Sequence, residues 1–282
     1  MSLLSRNQCL VTASLRSFAI AGRTVGIKTT LHQQSHLLLN DNTHTQPWQN
    51  FCDGLNDKLA EMSLQKNSEL RIVLSSSLVR YLLLPAQKIV MNKLEKNQYV
   101  RAAYREIYGS LVEDWIIQCD DTAPNQSTLA AAIDQKLIDT LLQISVKHGL
   151  KLTSVQPHFV ASLNRLRTQL NSADSYLAVV EEEAIVIGTF VHGNLQGVKT
   201  VSYQGDWKLA LTREMHRQSL FVEQSTDLQN GPIAITNHLK LYAPTFKKQA
   251  LPVMENWILQ RLDLRVAGIK DDTYHLMLEV ML

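Results

Sequence analysis

Few side chains in this sequence stand at spacings that could do chemistry. The serine run Ser75–Ser77 could supply a nucleophile for acyl transfer, but it lacks the flanking glycines of a nucleophile elbow. His32 and His36 are four residues apart on a predicted strand, where that spacing holds two rings too far apart to ligate one metal ion closely. A P-loop and a GxGxxG pattern are also absent. The motifs therefore predict no catalytic, cofactor-binding or metal-binding residue.

The composition is that of an ordinary globular protein. Of the 282 residues, 45% are hydrophobic and 19% are charged, and the formal net charge is +2. This near-neutral charge gives no electrostatic reason to expect a nucleic-acid partner. The cysteines Cys9, Cys52 and Cys119 are odd in number and widely spaced, which suits neither a disulfide framework nor a zinc site. They predict reduced thiols in a reducing compartment.

The elements that would position any site follow one order in the first part of the chain. Three strands are predicted at the start, Gln8–Leu15, Ser17–Ala21 and Val25–Leu39, since large and β-branched residues alternate with turn signals. A helix opened by Pro47-Trp48 and the strand Leu70–Leu74 come next. Further strands and helices are predicted at 78–84, 94–108, 114–119, 129–133, 135–148, 150–155 and 157–170.

The opening pattern returns after Asn171–Asp174. Three strands are again followed by a helix opened by a tryptophan, Trp207. The predicted elements of this part are Tyr176–Val180, Ala184–Val191, Leu195–Tyr203, a helix from Trp207 to about Gln224, a strand Pro232–Thr236, a helix within Thr245–Leu262 and a strand Tyr274–Leu282.

Two copies of the order β-β-β-α-β-α-β predict an α/β protein with two ribonuclease-H-like halves around a cleft. That is the architecture of the actin-like ATPase fold. The predicted domains are residues 1–172, a first half with inserted strands and helices, and residues 173–282, a second half.

An actin-like ATPase holds its nucleotide in two turns, each between the first and second strand of one half. Glycines allow close approach of backbone amides to phosphate, and an aspartate positions magnesium or water. The first turn here, Ser14–Ser17, has neither residue, and the carboxylates of the second turn, Glu181–Glu183, would repel a triphosphate. The sequence therefore predicts no cofactor, while ATP with magnesium stays open as an alternative.

A ribonuclease-H-like nuclease would need carboxylates on its first strand and on the strand after its first helix, to hold two metal ions. The segments Asn7–Leu15 and Leu70–Leu74 contain none. A nuclease or another nucleic-acid-binding protein of this fold is therefore disfavoured.

The segment Leu70–Pro85, LRIVLSSSLVRYLLLP, resembles part of the actin-like type IV pilus assembly proteins of the PilM family and the cytoplasmic part of the type II secretion component GspL. Tyr99–Trp115, Ala130–Pro157 and the strands from Tyr176 are similar in style. The resemblance implies an actin-like scaffold at the cytoplasmic face of the inner membrane, which grips the cytoplasmic tail of a single-span partner. A groove for a peptide does not need phosphate chemistry, so this role is compatible with the degenerate turns.

The secretion-type relatives usually continue into a membrane span, and this chain reaches Leu282 without one. We therefore expect a cytoplasmic protein that meets the inner membrane through its partner, with no direct membrane insertion. A homo-oligomer is a further expected form.

Four residues are predicted to bind the partner. Arg80 interrupts an apolar run and could bind a carboxylate or backbone with its forked donors. Trp115 could anchor a peptide, and Tyr104 and Arg105 lie on a helix that mixes aromatic and basic residues. The alternatives are a solvent-facing arginine, a core tryptophan and an ordinary amphipathic helix. The two leading functions are thus a nucleotide-independent scaffold and an active ATPase or sugar-kinase relative with unusual phosphate turns.

Overall fold

The computed structural model describes residues 6–39, 44–170, 174–225, 237–264 and 275–282, and the chain forms two compact units. The first unit comprises Met1–Arg165 and Leu264–Leu282, and the second comprises Leu166–Asp263. The predicted halves, 1–172 and 173–282, divide the chain differently. Residues 275–282 form a short 3₁₀ segment that packs on the first unit, where Arg23 Nη1 donates to Met281 O at 3.3 Å.

From Arg6 to Leu166 the elements are β1 (Arg6–Ala13), β2 (Ser17–Val25), β3 (Thr30–Leu38), α1 (Gln49–Glu61), β4 (Glu69–Leu74), β5 (Arg80–Leu84), α2 (Lys93–Tyr108), β6 (Trp115–Cys119), β7 (Thr128–Asp134), α3 (Gln135–Lys147), β8 (Lys151–Pro157) and α4 (His158–Leu166). Five strands form the main sheet in the order β3-β2-β1-β4-β8. The first three are antiparallel, and β4 and β8 run parallel to β1.

One face of this sheet packs against α1 and α3. Alternate residues of β1, Cys9, Val11 and Ala13, point into that core because successive side chains of a strand alternate between faces. Phe18 of β2 meets Phe51 of α1 edge to face, with ring centroids 5.8 Å apart. Burial of these side chains supplies the main driving force for the layer.

Residues 80–134, here called the inserted subdomain, form a second, smaller layer within the first unit. Its sheet has the order β5-β7-β6 with both pairs antiparallel, and α2 packs on it. Asn92 and Glu95 form a capping box at the start of α2, which satisfies backbone N–H groups of its first turn. Asp134 at the end of β7 caps α3 by accepting from Lys136 N. Ordinary N-caps therefore begin both α2, within the subdomain, and α3, directly after it.

The second unit repeats the main sheet. Its elements are β9 (Ser175–Val180), β10 (Ala184–Val191), β11 (Asn194–Ser202), α5 (Trp207–Ser225), β12 (His238–Tyr242) and β13 (Ile258–Arg261). The strand order is β11-β10-β9-β12-β13, with β12 and β13 parallel to β9. Trp207 at the start of α5 stacks on Phe246 with centroids 5.6 Å apart, inside the core of this unit.

Two sequence predictions are wrong. Thr245–Leu262 is not a helix: a 3₁₀ turn at Pro244–Phe246 is followed by extended chain and β13. Pro252 within this stretch lacks the N–H that a helix interior needs, and apolar residues spaced like a helix instead pack individually on the core. The predicted strand Tyr274–Leu282 is a 3₁₀ segment over His275–Met281. A short apolar run in the sequence does not distinguish a β-strand from a helical segment. The predicted strand Pro232–Thr236 lies outside the described residues.

Candidate functional site

The four predicted partner-binding residues all lie in the inserted subdomain. Arg80 is the first residue of β5, Trp115 is the first of β6, and Tyr104 and Arg105 lie on α2. Arg80 shares its face of the small sheet with Leu82 and Leu84, which pack under α2 together with Trp115. The structure therefore brings the four residues to one face, near the C-terminal end of α2.

Tyr104 is the centre of this arrangement and is fully buried. Its hydroxyl donates to Arg80 O at 2.7 Å, and its ring meets Trp115 edge to face at 6.4 Å and stacks on Tyr108 at 5.9 Å. Burial, and to a smaller extent Tyr108 and Cys119, raises the pKa of the Tyr104 hydroxyl above its usual value. Tyr104 thus contacts the backbone of Arg80 and the ring of Trp115, and Trp115 and Tyr108 lie against its own ring.

Arg105 is exposed and forms an ion pair with Glu113. Arg101 approaches the same carboxylate at 3.6 Å and also donates to Val112 O at 3.0 Å and Trp115 O at 3.2 Å. Arg101 is therefore fixed to the backbone beside Trp115, whereas Arg105 is held only through a solvated carboxylate. An exposed pair of this kind contributes about 1 kcal/mol or less, so Glu113 could be exchanged for another carboxylate at small cost.

Arg80 has the most available guanidinium of the set. The side chain is exposed, and its Nη1 donates a long hydrogen bond to Val79 O at 3.4 Å. Trp115 is half-buried, because Tyr104 and Tyr108 cover part of its ring while the rest is accessible. A forked cation, a second exposed cation and a partly open aromatic ring suit an extended peptide with a carboxylate or free backbone carbonyls.

A second concave feature lies at the other end of the inserted subdomain, and the sequence analysis missed it. Loops 85–92 and 120–127 enclose about 220 Å³ between them. Lys96 Nζ donates to Asp120 O at 2.6 Å, and Asn125 N donates to Gln87 O at 2.9 Å, so the two loops are tied together. Ile89 and Val90 are 75% and 77% exposed at the rim. The detectable signal was the apolar run Ile89-Val90-Met91 in an otherwise polar loop.

The turn between β1 and β2 is closed by hydrogen bonds to one of its own side chains, that of Ser14. Ser14 Oγ accepts from Ser17 N at 3.0 Å and Arg16 N at 3.3 Å, while Ser14 N donates to Ser17 O at 2.8 Å. These amides are the kind of donor that would face a phosphate in an actin-like ATPase. In this turn they are engaged within the turn, so the residues present do not fit a phosphate cradle.

The turn between β9 and β10 is built around a buried acidic residue. Glu181 is fully buried, and its backbone oxygen accepts from Tyr203 Oη at 2.5 Å. Burial is the largest cause that raises the pKa of the Tyr203 hydroxyl above its usual value. The carboxylates of Glu182, Glu181 and Glu183 raise it further. The carboxylates of this turn place negative charge around Tyr203, and negative charge opposes a triphosphate.

Within the described ranges no three His, Cys, Asp or Glu side chains stand together in a way that could hold a metal ion. Of the helices that the structure describes, none has the length and apolar character needed to cross a membrane.

Comparison by sequence gives no match to any protein-family model or curated protein. Comparison by structure does give matches. The PilM–PilN type IV pilus biogenesis complex is similar with a TM-score of 0.60 at 12% identity, over 90% of this chain and 87% of that chain. The cytoplasmic domain of EpsL, an inner membrane component of the type II secretion system of Vibrio cholerae, gives 0.54 at 9% identity, over 98% and 94%.

A Bacteroides thetaiotaomicron protein with an actin-like ATPase fold and unknown function gives a TM-score of 0.55 at 13% identity, over 84% of this chain and 81% of that chain. The chain therefore has the actin-like fold that its sequence predicts, and the resemblance to pilus and secretion proteins extends to their three-dimensional structures. At identities this low the similarity establishes the fold.

Proposed function

We propose that the protein is an actin-like scaffold of a type IV pilus or type II secretion system, which binds the cytoplasmic tail of a single-span inner-membrane protein without needing nucleotide. The observation that carries this proposal is the likeness to both a PilM–PilN complex and an EpsL cytoplasmic domain over nearly the whole chain. We place the protein in the cytoplasm, at the inner membrane through that partner.

The surface proposed for the tail is the face of the inserted subdomain that carries Arg80, Arg105 and Trp115. Arg80 would bind a carboxylate or backbone carbonyl with its open fork, and Arg105 would exchange Glu113 for a carboxylate of the peptide. The accessible part of Trp115 would cover an apolar side chain. Tyr104 acts as a positioning residue through its bond to Arg80 O.

Independence from nucleotide is supported by the two turns. Ser14 engages the amides of the first turn, and the second turn presents carboxylates where phosphate oxygens would lie in an actin-like ATPase. A scaffold needs only that its two units fold, and both have complete cores of their own.

The test is calorimetric titration of the full chain with synthetic peptides that span the cytoplasmic tails of the single-span pilus or secretion proteins of the same genome. We expect one tail to bind, and we expect Arg80→Ala and Arg105→Ala each to weaken it about tenfold, the effect of losing a charge-assisted hydrogen bond. Arg213→Ala is the matched control, because it removes an exposed arginine on α5 of the second unit.

The possible outcomes test the scaffold function and the proposed binding surface separately. If no tail binds, the scaffold function is contradicted. If a tail binds equally to both arginine variants but fails to bind Ile89→Ser, the peptide site lies at the loops 85–92 and 120–127 instead.

A further inference from the structure

Two arginines lie on the face of the main sheet opposite the α1 and α3 core, and the charge of a third acts on one of them. Arg23 of β2 pairs with Gln8 of β1, and Arg71 of β4 pairs with Leu10 of β1. Gln8 and Leu10 are two residues apart and so project from the same face of β1. Arg23 and Arg71 therefore flank β1 from its two sides. The third arginine, Arg165, is the exposed cation in the last turn of α4.

The hydrogen bonds on this face do not pair Arg23 directly with a carboxylate. Arg23 Nη1 donates to Gln8 Oε1 and to Met281 O, both at 3.3 Å, while its Nε is buried without a hydrogen-bond partner. The nearby carboxylate of Glu69 accepts from Gln8 Nε2 at 2.8 Å. Over the ranges that the structure describes, none of the three guanidinium groups forms an ion pair with a carboxylate.

The electrostatic consequence is a local excess of positive charge on a partly desolvated surface. Burial, then the like charges of Arg71 and Arg165, lowers the pKa of Arg23 from its usual value. A guanidinium stays protonated under all ordinary conditions, so this group cannot relieve the repulsion by losing its proton. The remaining way to relieve it is an anion from solution.

We propose that Arg23, Arg71 and Arg165 form a binding site for a phosphate group. Phosphate carries more than one negative charge near neutral pH and several acceptor oxygens, which matches three forked donors better than a single carboxylate does. This site is separate from the partner-binding surface and does not rest on the proposed function.

The first test is thermal unfolding of the full chain in 10 mM sodium phosphate and in sodium chloride of the same ionic strength. A ligand that binds only the folded protein raises its midpoint, and a phosphate affinity near 1 mM would give a rise of about 3 °C. We expect this rise in the wild type and in the control Arg213→Gln. We expect it to be lost in Arg71→Gln and in Arg165→Gln.

The same variants in chloride distinguish a binding role from a structural one. Removal of one of three mutually repelling charges should leave the midpoint equal to that of the wild type or higher. A lower midpoint in chloride for both variants would mean that the arginines are structural, and would contradict the proposal. The same phosphate-dependent rise in the variants as in the wild type would mean an adventitious ion only.

Co-sedimentation with vesicles then identifies the source of the phosphate. If the wild type sediments with phosphatidylglycerol vesicles but not with phosphatidylcholine vesicles, and Arg165→Gln sediments with neither, the site takes a lipid headgroup. If phosphate raises the midpoint but no vesicle is bound, the site takes free phosphate. A wild type that responds to neither phosphate nor vesicles would overturn the site.

Discussion

The two main sheets have the same strand order, yet they differ at the turns and at the layers that follow. The first unit closes its first turn with the hydroxyl of Ser14, and the second builds the equivalent turn around the buried Glu181. The first unit also carries the inserted subdomain between β4 and α3, whereas the described chain after β12 contains 3₁₀ segments, irregular chain and the short strand β13. One architecture thus tolerates different turn chemistry, because the parallel and antiparallel pairing of five strands is fixed by their cores.

The largest expected difference between the two units is in the free energy of unfolding lost when the tryptophan at the start of α1 or of α5 is removed. Trp207→Ala removes a buried ring stacked on Phe246 and a bond from Nε1 to Gln249 Oε1 at 3.0 Å, and it should cost about 3–5 kcal/mol. Trp48→Ala should cost less, because Trp48 is less buried and its Nε1 donates to Asp134 Oδ2 at 3.3 Å. Urea unfolding followed by circular dichroism measures both.

A loss for Trp48→Ala that equals or exceeds the loss for Trp207→Ala would contradict the difference between the two cores. Trp257→Ala offers a comparison within the second unit, since this ring is only partly buried and meets Tyr176 at 5.3 Å.

Tyr104 and Tyr203 provide a smaller, pH-dependent comparison of the two units. Each hydroxyl donates to a backbone oxygen, so Tyr104→Phe and Tyr203→Phe should each cost about 1–2 kcal/mol at neutral pH. Burial raises both pKa values above the usual 10.0, so the folded protein keeps protons that the unfolded chain loses. This stabilisation is complete below pH 10 and is lost as the pH rises through the raised pKa values.

The measurement is the free energy of unfolding from about pH 8 to about pH 11.5, a range that spans the usual tyrosine pKa of 10.0, where the decline begins. Each Phe variant should show a shallower decline than the wild type above pH 10. Parallel declines in all three proteins would show that these tyrosines do not carry the dependence.

Ser14→Ala should have a smaller effect, about 1 kcal/mol, as for the loss of a helix-capping hydroxyl. The reason is that two backbone amides, of Arg16 and Ser17, lose their side-chain acceptor in the β1–β2 turn. Thermal unfolding of the variant measures the loss. Ser110→Ala, at an exposed serine, is the control and should leave the midpoint unchanged.

Magnesium ATP at millimolar concentration should produce the smallest effect, a midpoint change of less than about 1 °C. A clear rise that persists in Arg71→Gln, which lacks the proposed phosphate site, would favour the alternative function, an active ATPase with unusual turns. Ser14→Ala sharpens this test: a rise in the variant alone would show that the serine hydroxyl is what keeps phosphate from the first turn.

Much of the fold could be predicted because local signals agreed with it. Trp207 opens α5, as predicted, Asp134 gives α3 an ordinary N-cap, and strands β1, β4 and β9 are recognisable as short apolar runs. The helix predicted within Thr245–Leu262 was wrong because Pro252 interrupts the segment, and its apolar side chains pack individually on the core of the second unit. Tertiary packing determined the structure of that segment, and the periodicity of a single sequence carries no information about tertiary packing.

The candidate site was predictable only in part. The mixture of aromatic and basic residues on α2 is visible in the sequence, but the approach of Arg80 to Trp115 depends on β7 lying between β5 and β6. That order leaves no local signal. The same holds for Arg23 and Arg71, which share one sheet face on the two sides of β1 only because β1 lies between β2 and β4.

The inserted subdomain leaves the parent sheet after Leu74 and returns at Asp134, and both connections lie at one end of the small sheet. Near this junction Tyr81 meets Phe159 with ring centroids 5.6 Å apart. The distal loops can therefore change in length or sequence at small cost to folding, since a surface loop adds little closure entropy as it grows. Such a module can acquire new specificity during evolution while the ancestral sheets that carry it stay the same.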